Sequence, residues 1–198
     1  MQLVLATRNA HKVDEIRRIL ADAGLTGLDL LSLDRWPDLP DAPEDAPDFE
    51  GNALAKARYV YAHTGIPAVA DDSGIEVAAL DWGPGVHSKR FTPEGTAATN
   101  NLRLLQELEG VTDRRARFRC VLALVGPQGA LTASGTVLGV IGHAPRGSGG
   151  FGYDPLFWPD EAPGRTMAEL SPEEKDAISH RGRAFRQLPA LLRRWGWT

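Results

Sequence analysis

Apolar residues open the chain as a short continuous run, Leu3-Val4-Leu5-Ala6, which predicts a buried strand. Thr7 to Lys12 is polar, and Val13, Ile16, Ile19 and Leu20 then recur at helical spacing. The pattern predicts a strand, a tight turn and a helix that stops at Gly24. Leu28 to Leu33 reads as a second strand. From Trp36 to Asp48 periodicity disappears, and Pro37, Pro40, Pro43 and Pro47 make a stiff, acid-rich connection. Asp48 can cap a helix to about His63, with Ala53, Leu54, Ala57, Val60 and Tyr61 on one face and Gly65 as its stop. Pro67 to Ala70 is a short strand with Asp71-Asp72-Ser73-Gly74 at its end. A glycine loop, Gly83 to Gly85, leads to Lys89, and Leu102, Leu105 and Leu108 mark a third helix ending near Gly110. Arg117–Val125 and Ala130–Ile141 read as paired strands about the turn Gly126-Pro127-Gln128-Gly129. After the glycine-rich stretch Gly147–Gly152, Ser171-Pro172-Glu173-Glu174 is a capping box. The last segment carries Phe185, Leu188, Leu191, Leu192 and Trp195, with Pro189 kinking or restarting its helix.

Strand–helix alternation followed by a long hairpin predicts an α/β protein with a mixed sheet. No repeat, low-complexity tract or linker divides the 198 residues, so residues 1–198 read as a single domain. The formal charge of −4 argues against bulk attraction to nucleic acid. The single Cys120, inside an apolar run, excludes an intramolecular disulfide and reads as a buried thiol in a reducing compartment. No signal-peptide pattern precedes the first strand, and no apolar stretch is long enough to span a bilayer. The expectation is a cytoplasmic protein that binds neither membrane nor nucleic acid.

Only four lysines occur, Lys12, Lys56, Lys89 and Lys175, against eighteen arginines. A compact ammonium suits a phosphate oxygen, whereas arginine presents a planar fork. Each lysine stands among polar residues, which suggests a small-molecule phosphate site, although solvated surface charges would look the same by composition.

Four constellations carry chemistry. The strand–Thr7-x-Asn9-x-x-Lys12–helix junction offers helix N-terminal N–H groups, two polar side chains and a cation, without being a Walker A loop. Asp71-Asp72-Ser73 brings two carboxylates together, which a cation or a proton must offset; magnesium fits hard oxygen donors at a phosphate site. Strand alternation makes one aspartate a ligand and the other a support, with Glu44 and Asp45 as candidate second carboxylates. Gly147-Ser148-Gly149-Gly150-Phe151-Gly152 matches G-x-G-x-x-G, but Tyr153-Asp154-Pro155 follows instead of a helix, so it fits a flat ligand better than a dinucleotide fold. Lys175 with Ser179-His180-Arg181 supplies donors for a carbonyl-rich heterocycle, or simply a cationic helix face.

In sequence order, Thr7-x-Asn9-x-x-Lys12, Phe49-x-x-Asn52-Ala53-x-x-Lys56-Ala57, Ala70-Asp71-Asp72-Ser73-Gly74, Pro84-Gly85-Val86-His87-Ser88, Phe151-Gly152-Tyr153-Asp154-Pro155 and Ser179-His180-Arg181 resemble the inosine/xanthosine triphosphate pyrophosphatase (Ham1-like) family. Gly51 departs from it, standing where many members have glutamate in F-x-E-N-A. The resemblance implies an elongated mixed sheet flanked by helices in two lobes, with a nucleotide in the cleft between them. It implies a homodimeric hydrolase that cleaves ITP, dITP and XTP to monophosphate and pyrophosphate and so cleanses the nucleotide pool. By motif, Thr7, Arg8, Asn9, Ala10, His11 and Lys12 would hold phosphates, assisted by Lys56, Ser73 and Lys89. Glu44 and Asp72 would hold magnesium, and Asp72 would also accept the proton of the attacking water. Phe151, Gly152, Tyr153, Asp154, Lys175, His180 and Arg181 would enclose and read the base. A Maf-like pyrophosphatase acting on pyrimidine or dTTP-type substrates, and a binding protein without turnover, are the competing expectations.

Overall fold

A computed structural model describes residues 2–25 and 27–197. The elements are, in chain order, β1 (Gln2–Leu5), α1 (Ala10–Asp22), β2 (Asp29–Ser32), α2 (Phe49–Thr64), β3 (Ala68–Val77), β4 (Gly83–Pro84), α3 (Ala97–Glu107), β5 (Arg115–Gly126), β6 (Gly129–Ile141), β7 (Phe157–Pro159), α4 (Pro172–Ile178), α5 (His180–Phe185) and α6 (Leu188–Arg194). The strands join in the order β2-β1-β3-β5-β6-β7, with β4 paired to β3. β1 runs parallel to β2 and β3, whereas β3–β4 and β6–β7 are antiparallel, so the sheet is mixed as expected. No helix among the described residues is long and apolar enough to cross a membrane.

The chain forms two compact units, each built from separated segments: residues 1–72, 120–135 and 181–198 in the first, and 73–119 and 136–180 in the second. The core of the first packs Leu3, Leu5, Ile16, Val69 and Leu122 with Phe185 and Leu188. The apolar face of the C-terminal segment is buried here as its spacing predicts, and Trp195 belongs to this core rather than to an exposed tail. Pro189 restarts the helix as the second residue of α6. The core of the second unit packs Ile75, Val77, Leu104, Phe118, Tyr153 and Phe157.

Local chemistry places the ends of the elements. The Asn9 carboxamide oxygen caps α1 by accepting from the His11 and Lys12 N–H groups, at 3.1 and 3.4 Å. Asp48 caps α2 by accepting from the Gly51 N–H at 2.7 Å, and Gly65 closes that helix in the left-handed region that favours glycine. Ser171 and Glu174 form the reciprocal capping box of α4.

Two expectations need correction. Asp71-Asp72-Ser73-Gly74 lies inside a ten-residue strand, not beyond its end. β1 pairs only as far as Leu5 with Val69, but β3 runs on to meet β4 at Glu76 and Val77. The buried stripe of α3 also differs: Leu104 and Leu108 are fully buried, whereas Leu102 is 58% exposed. All three leucines fit a helical period, but four-residue spacing aligns Leu104 and Leu108 on one face while Leu102 turns away.

Candidate active site

The first unit holds a connected set of charges. β3 delivers Asp71 and Asp72 as consecutive residues, and their partners do not overlap. Asp71 Oδ2 accepts from Lys12 Nζ at 3.0 Å and from Arg181 at 3.2 Å. Arg181 also donates to Glu15 at 2.7 Å. Burial alone would raise the Asp71 carboxyl, but the Lys12 ammonium, then the Arg181 guanidinium, outweigh it and hold it far below the usual carboxylate range. Burial pulls Lys12 below its ordinary value, and Asp71 restores only part of that. Cys120 is buried, with Sγ 3.8 Å from Asp71 Oδ2; burial, then the Asp71 charge, push its thiol far up, so it stays protonated.

Asp72 faces other partners. Its Oδ1 accepts from Lys56 Nζ at 3.2 Å and its Oδ2 from Asn52 Nδ2 at 3.0 Å. Lys56 Nζ also donates to Glu44 at 2.8 Å. Burial raises the Asp72 carboxyl, a tendency that Lys56 and Asn52 reduce without cancelling. Burial lowers Lys56, but Asp72, Asp71 and Glu44 together bring it above the ordinary lysine value.

Glu44 and Asp72 thus converge on a single cationic nitrogen. Among the described residues, no group of three or more His, Cys, Asp or Glu side chains is arranged to hold a metal. Two carboxylates suit magnesium, which binds through one or two of them and keeps several waters. Hard, anionic oxygens meeting around a positive charge therefore fit that ion.

The residues expected to hold phosphate part ways in the fold. Thr7 Oγ1 accepts from the Asn9 N–H at 3.2 Å, so the loop is pre-shaped by its own side chains. Asn9 Oδ1 is used by the helix cap, so the amide nitrogen is what this side chain has left to donate with. Ala10 and His11 are exposed in the first turn of α1. Arg8 turns to the proline-rich loop: its fork donates to Asp41 at 2.9 Å and to the carbonyls of Trp36 and Leu39 at 2.9 and 2.8 Å. Arg8 therefore straps the loop that carries Glu44.

The second unit holds the base-reading candidates. Asp154 accepts from Lys175 Nζ at 2.7 Å and from the Phe151 N–H at 2.8 Å. The Lys175 ammonium lies 4.7 Å from the centre of the Phe151 ring, a cation–π distance. Glycine is required at position 150, whose φ of 66° lies in the left-handed region and where a Cβ would also run into the Asp154 carboxylate. Asn101 holds the Gly152 carbonyl at 3.0 Å. His180 is buried and stacks on Phe118, ring centres 4.8 Å apart and nearly parallel. The Tyr153 ring packs in the core and its hydroxyl donates to the Ser88 carbonyl at 2.6 Å, so the side chain serves the fold. Ser73 is half-buried on β3, and Lys89 is exposed at the end of a short 3₁₀ turn whose backbone Asn100 fixes.

Sequence reasoning grouped Lys12, Lys56, Asp71 and Asp72 without their connections. It missed Asn52, Glu15 and Phe118, which contact site residues directly. Asn52 stood in a quoted motif four residues before Lys56, so helical spacing puts both on one face, and in the fold it is 1% exposed. Arg181, expected at a base, is instead buried between two carboxylates of the first unit.

The Ham1 family model matches residues 3–191. A dITP/XTP pyrophosphatase from Mycolicibacterium paratuberculosis is 53% identical over 193 residues, covering 96% of this chain and 95% of that protein. Another from Geobacter sulfurreducens is 51% identical over 200 residues, covering 99% and 97%. The structure of a HAM1 protein from Coxiella burnetii superposes with a TM-score of 0.87 at 40% identity, covering 98% of this chain and 99% of that one.

Proposed function

This chain belongs to the Ham1 family, and from that premise we propose that it hydrolyses ITP, dITP and XTP to the corresponding monophosphate and pyrophosphate. The observation that carries the reading is the convergence of Glu44 and Asp72 on Lys56, next to Asp71 held by Lys12. Cleavage of a phosphoanhydride needs charge neutralisation and in-line positioning more than a protein nucleophile. Lys12 and Lys56 supply positive charge for phosphate oxygens. Asp72 accepts the proton of the attacking water, and Lys56 and Asn52 hold its carboxylate in place. Glu44 and Asp72 would hold magnesium, which would supply charge neutralisation at the phosphates. Asp71 keeps its charge and orients Lys12.

Specificity follows from donors. Hypoxanthine and xanthine present an acceptor at position 6, where adenine presents an amino group. Donors from the segment Phe151 to Asp154, from Lys175 and from His180 would pair with that acceptor and leave adenine unmatched, at about 1–3 kcal/mol per buried mismatch. The same reading carries a cytoplasmic homodimer acting on free nucleotides.

The test is product identification. Wild-type protein with magnesium and ITP, dITP, XTP, ATP, GTP or dTTP should release pyrophosphate, fastest from the first three. Release of orthophosphate, or equal turnover of all six, would overturn the reading. Light scattering on the purified protein checks the dimer.

A further inference from the structure

Gly51 stands in the first turn of α2, a place where glycine is an unfavourable choice for a helix. A Cβ there would lie 2.6 Å from Ala46 Cβ and 3.1 Å from Asp48 Oδ1. The first distance is shorter than methyl groups tolerate, and Ala46 has no flexible end to swing aside. Ala46 is thus seated directly on the helix backbone at Gly51. The Ala46 N–H donates to Asn52 Oδ1 at 2.9 Å, and the other end of the same carboxamide donates to Asp72 at 3.0 Å. Two residues before Ala46, Glu44 reaches Lys56 at 2.8 Å. Asn52 is nearly inaccessible and its neighbours are fixed by α2 and β3. The seat under Ala46 therefore sets how close the loop comes to Asp72.

We propose that Gly51 is a positioning residue: its missing side chain seats Ala46, and that seat places the Glu44 carboxylate beside Asp72 and Lys56. The proposal rests on the reading of Glu44 and Asp72 as the magnesium carboxylates. A methyl group at position 51 pushes Ala46 outward, breaks its bond to Asn52 and carries Glu44 away. The helix itself gains from the change, since alanine is the better helix former. Removing the methyl from position 46 reopens the seat: of Ala46 only Cα then stays nearby, 4.0 Å from the new Cβ, and Asp48 Oδ1 at 3.1 Å is the tip of a side chain that can shift by the few tenths of an ångström required.

The test compares full-length wild type, Gly51→Ala, Ala46→Gly and the Ala46→Gly/Gly51→Ala double variant. Amide hydrogen exchange is read over the 36–48 loop and over α2, without metal or nucleotide. The magnesium concentration giving half-maximal ITP turnover is read in parallel. Gly51→Ala should speed exchange at Asp45 and Ala46 while α2 stays protected, and should raise half-saturating magnesium by about tenfold or more. The double variant should recover both readings, as a steric partner swap requires. Unchanged loop exchange in Gly51→Ala, or no recovery in the double variant, would overturn the proposal. Loss of protection in α2 itself would also overturn it, by making Gly51 a folding residue. Wild type inactive on ITP would sink the proposed function instead, and the exchange comparison would still decide the seat.

Discussion

Arg181 and Asp71 stand 110 positions apart in sequence and form an ion pair at 3.2 Å with almost no access to water. A buried charge with its partner removed is costly, about 3–5 kcal/mol. Asp71→Asn should therefore destabilise the protein by that amount at neutral pH, measured by urea titration. The effect should also depend on pH. The folded carboxyl lies below its unfolded value of about 3.9, so its contribution is complete above that pH and fades as pH falls further. The gap between wild type and Asp71→Asn should narrow below about pH 4. A gap unchanged down to pH 3 would show that Asp71 is not the charged partner.

Asp72→Asn should keep the fold and remove most ITP turnover, by about 10²–10⁴-fold. The amide oxygen can still accept from Lys56, which also keeps Glu44, but the new NH2 then faces the Asn52 NH2, so thermal unfolding should move modestly downward while the fold persists. A variant with near-wild-type rates would remove Asp72 from proton transfer.

Chelation should abolish turnover reversibly. EDTA-treated protein should regain activity on added magnesium, and Glu44→Gln should need about tenfold or more of the metal for half-maximal rate. Glu44 is at the exposed end of its pair, with a side chain 38% accessible, so stability should barely change. Full activity in EDTA would refute a metal requirement.

The Lys175–Asp154 pair is the buried counterpart in the second unit, 2.7 Å apart with both side chains about 5% accessible. Lys175→Met should cost about 3–5 kcal/mol by stranding the carboxylate, and adding Asp154→Asn should recover part of it. The double variant should still bind ITP weakly, seen as a raised KM, because Lys175 no longer faces the base. Equal KM for ITP in wild type and double variant would place Lys175 outside recognition.

Much of this arrangement was legible as local chemistry. Asp48 followed by apolar positions at helical spacing announced α2, and the Ser171–Glu174 pair announced α4, because caps act over three or four residues. The order of motifs pointed to the family and to most of the charged side chains. Pairings over long separations were not legible: Arg181 meets Glu15 across 166 positions, and Arg8 meets Asp41 across 33. Spacing carries no information about such contacts, since they depend on how strands order in the sheet. The extent of β3 was hidden for the same reason, because β4, which engages its far end, is only two residues long. Leu102 misled because a leucine-rich helix offers more apolar positions than its one buried face can use.

The first unit joins residues 181–198 to residues 1–72. On the ribosome, Asp71 and Glu15 emerge long before Arg181, and Leu3 and Ile16 long before Phe185 and Leu188, which share their core. The unit that holds Glu44, Lys56 and Asp72 therefore cannot close until Arg181 and the core residues Phe185 to Leu192 have been made. A chain cut short by a nonsense codon would expose carboxylates and core leucines together, marking it for proteolysis before it could meet a nucleotide.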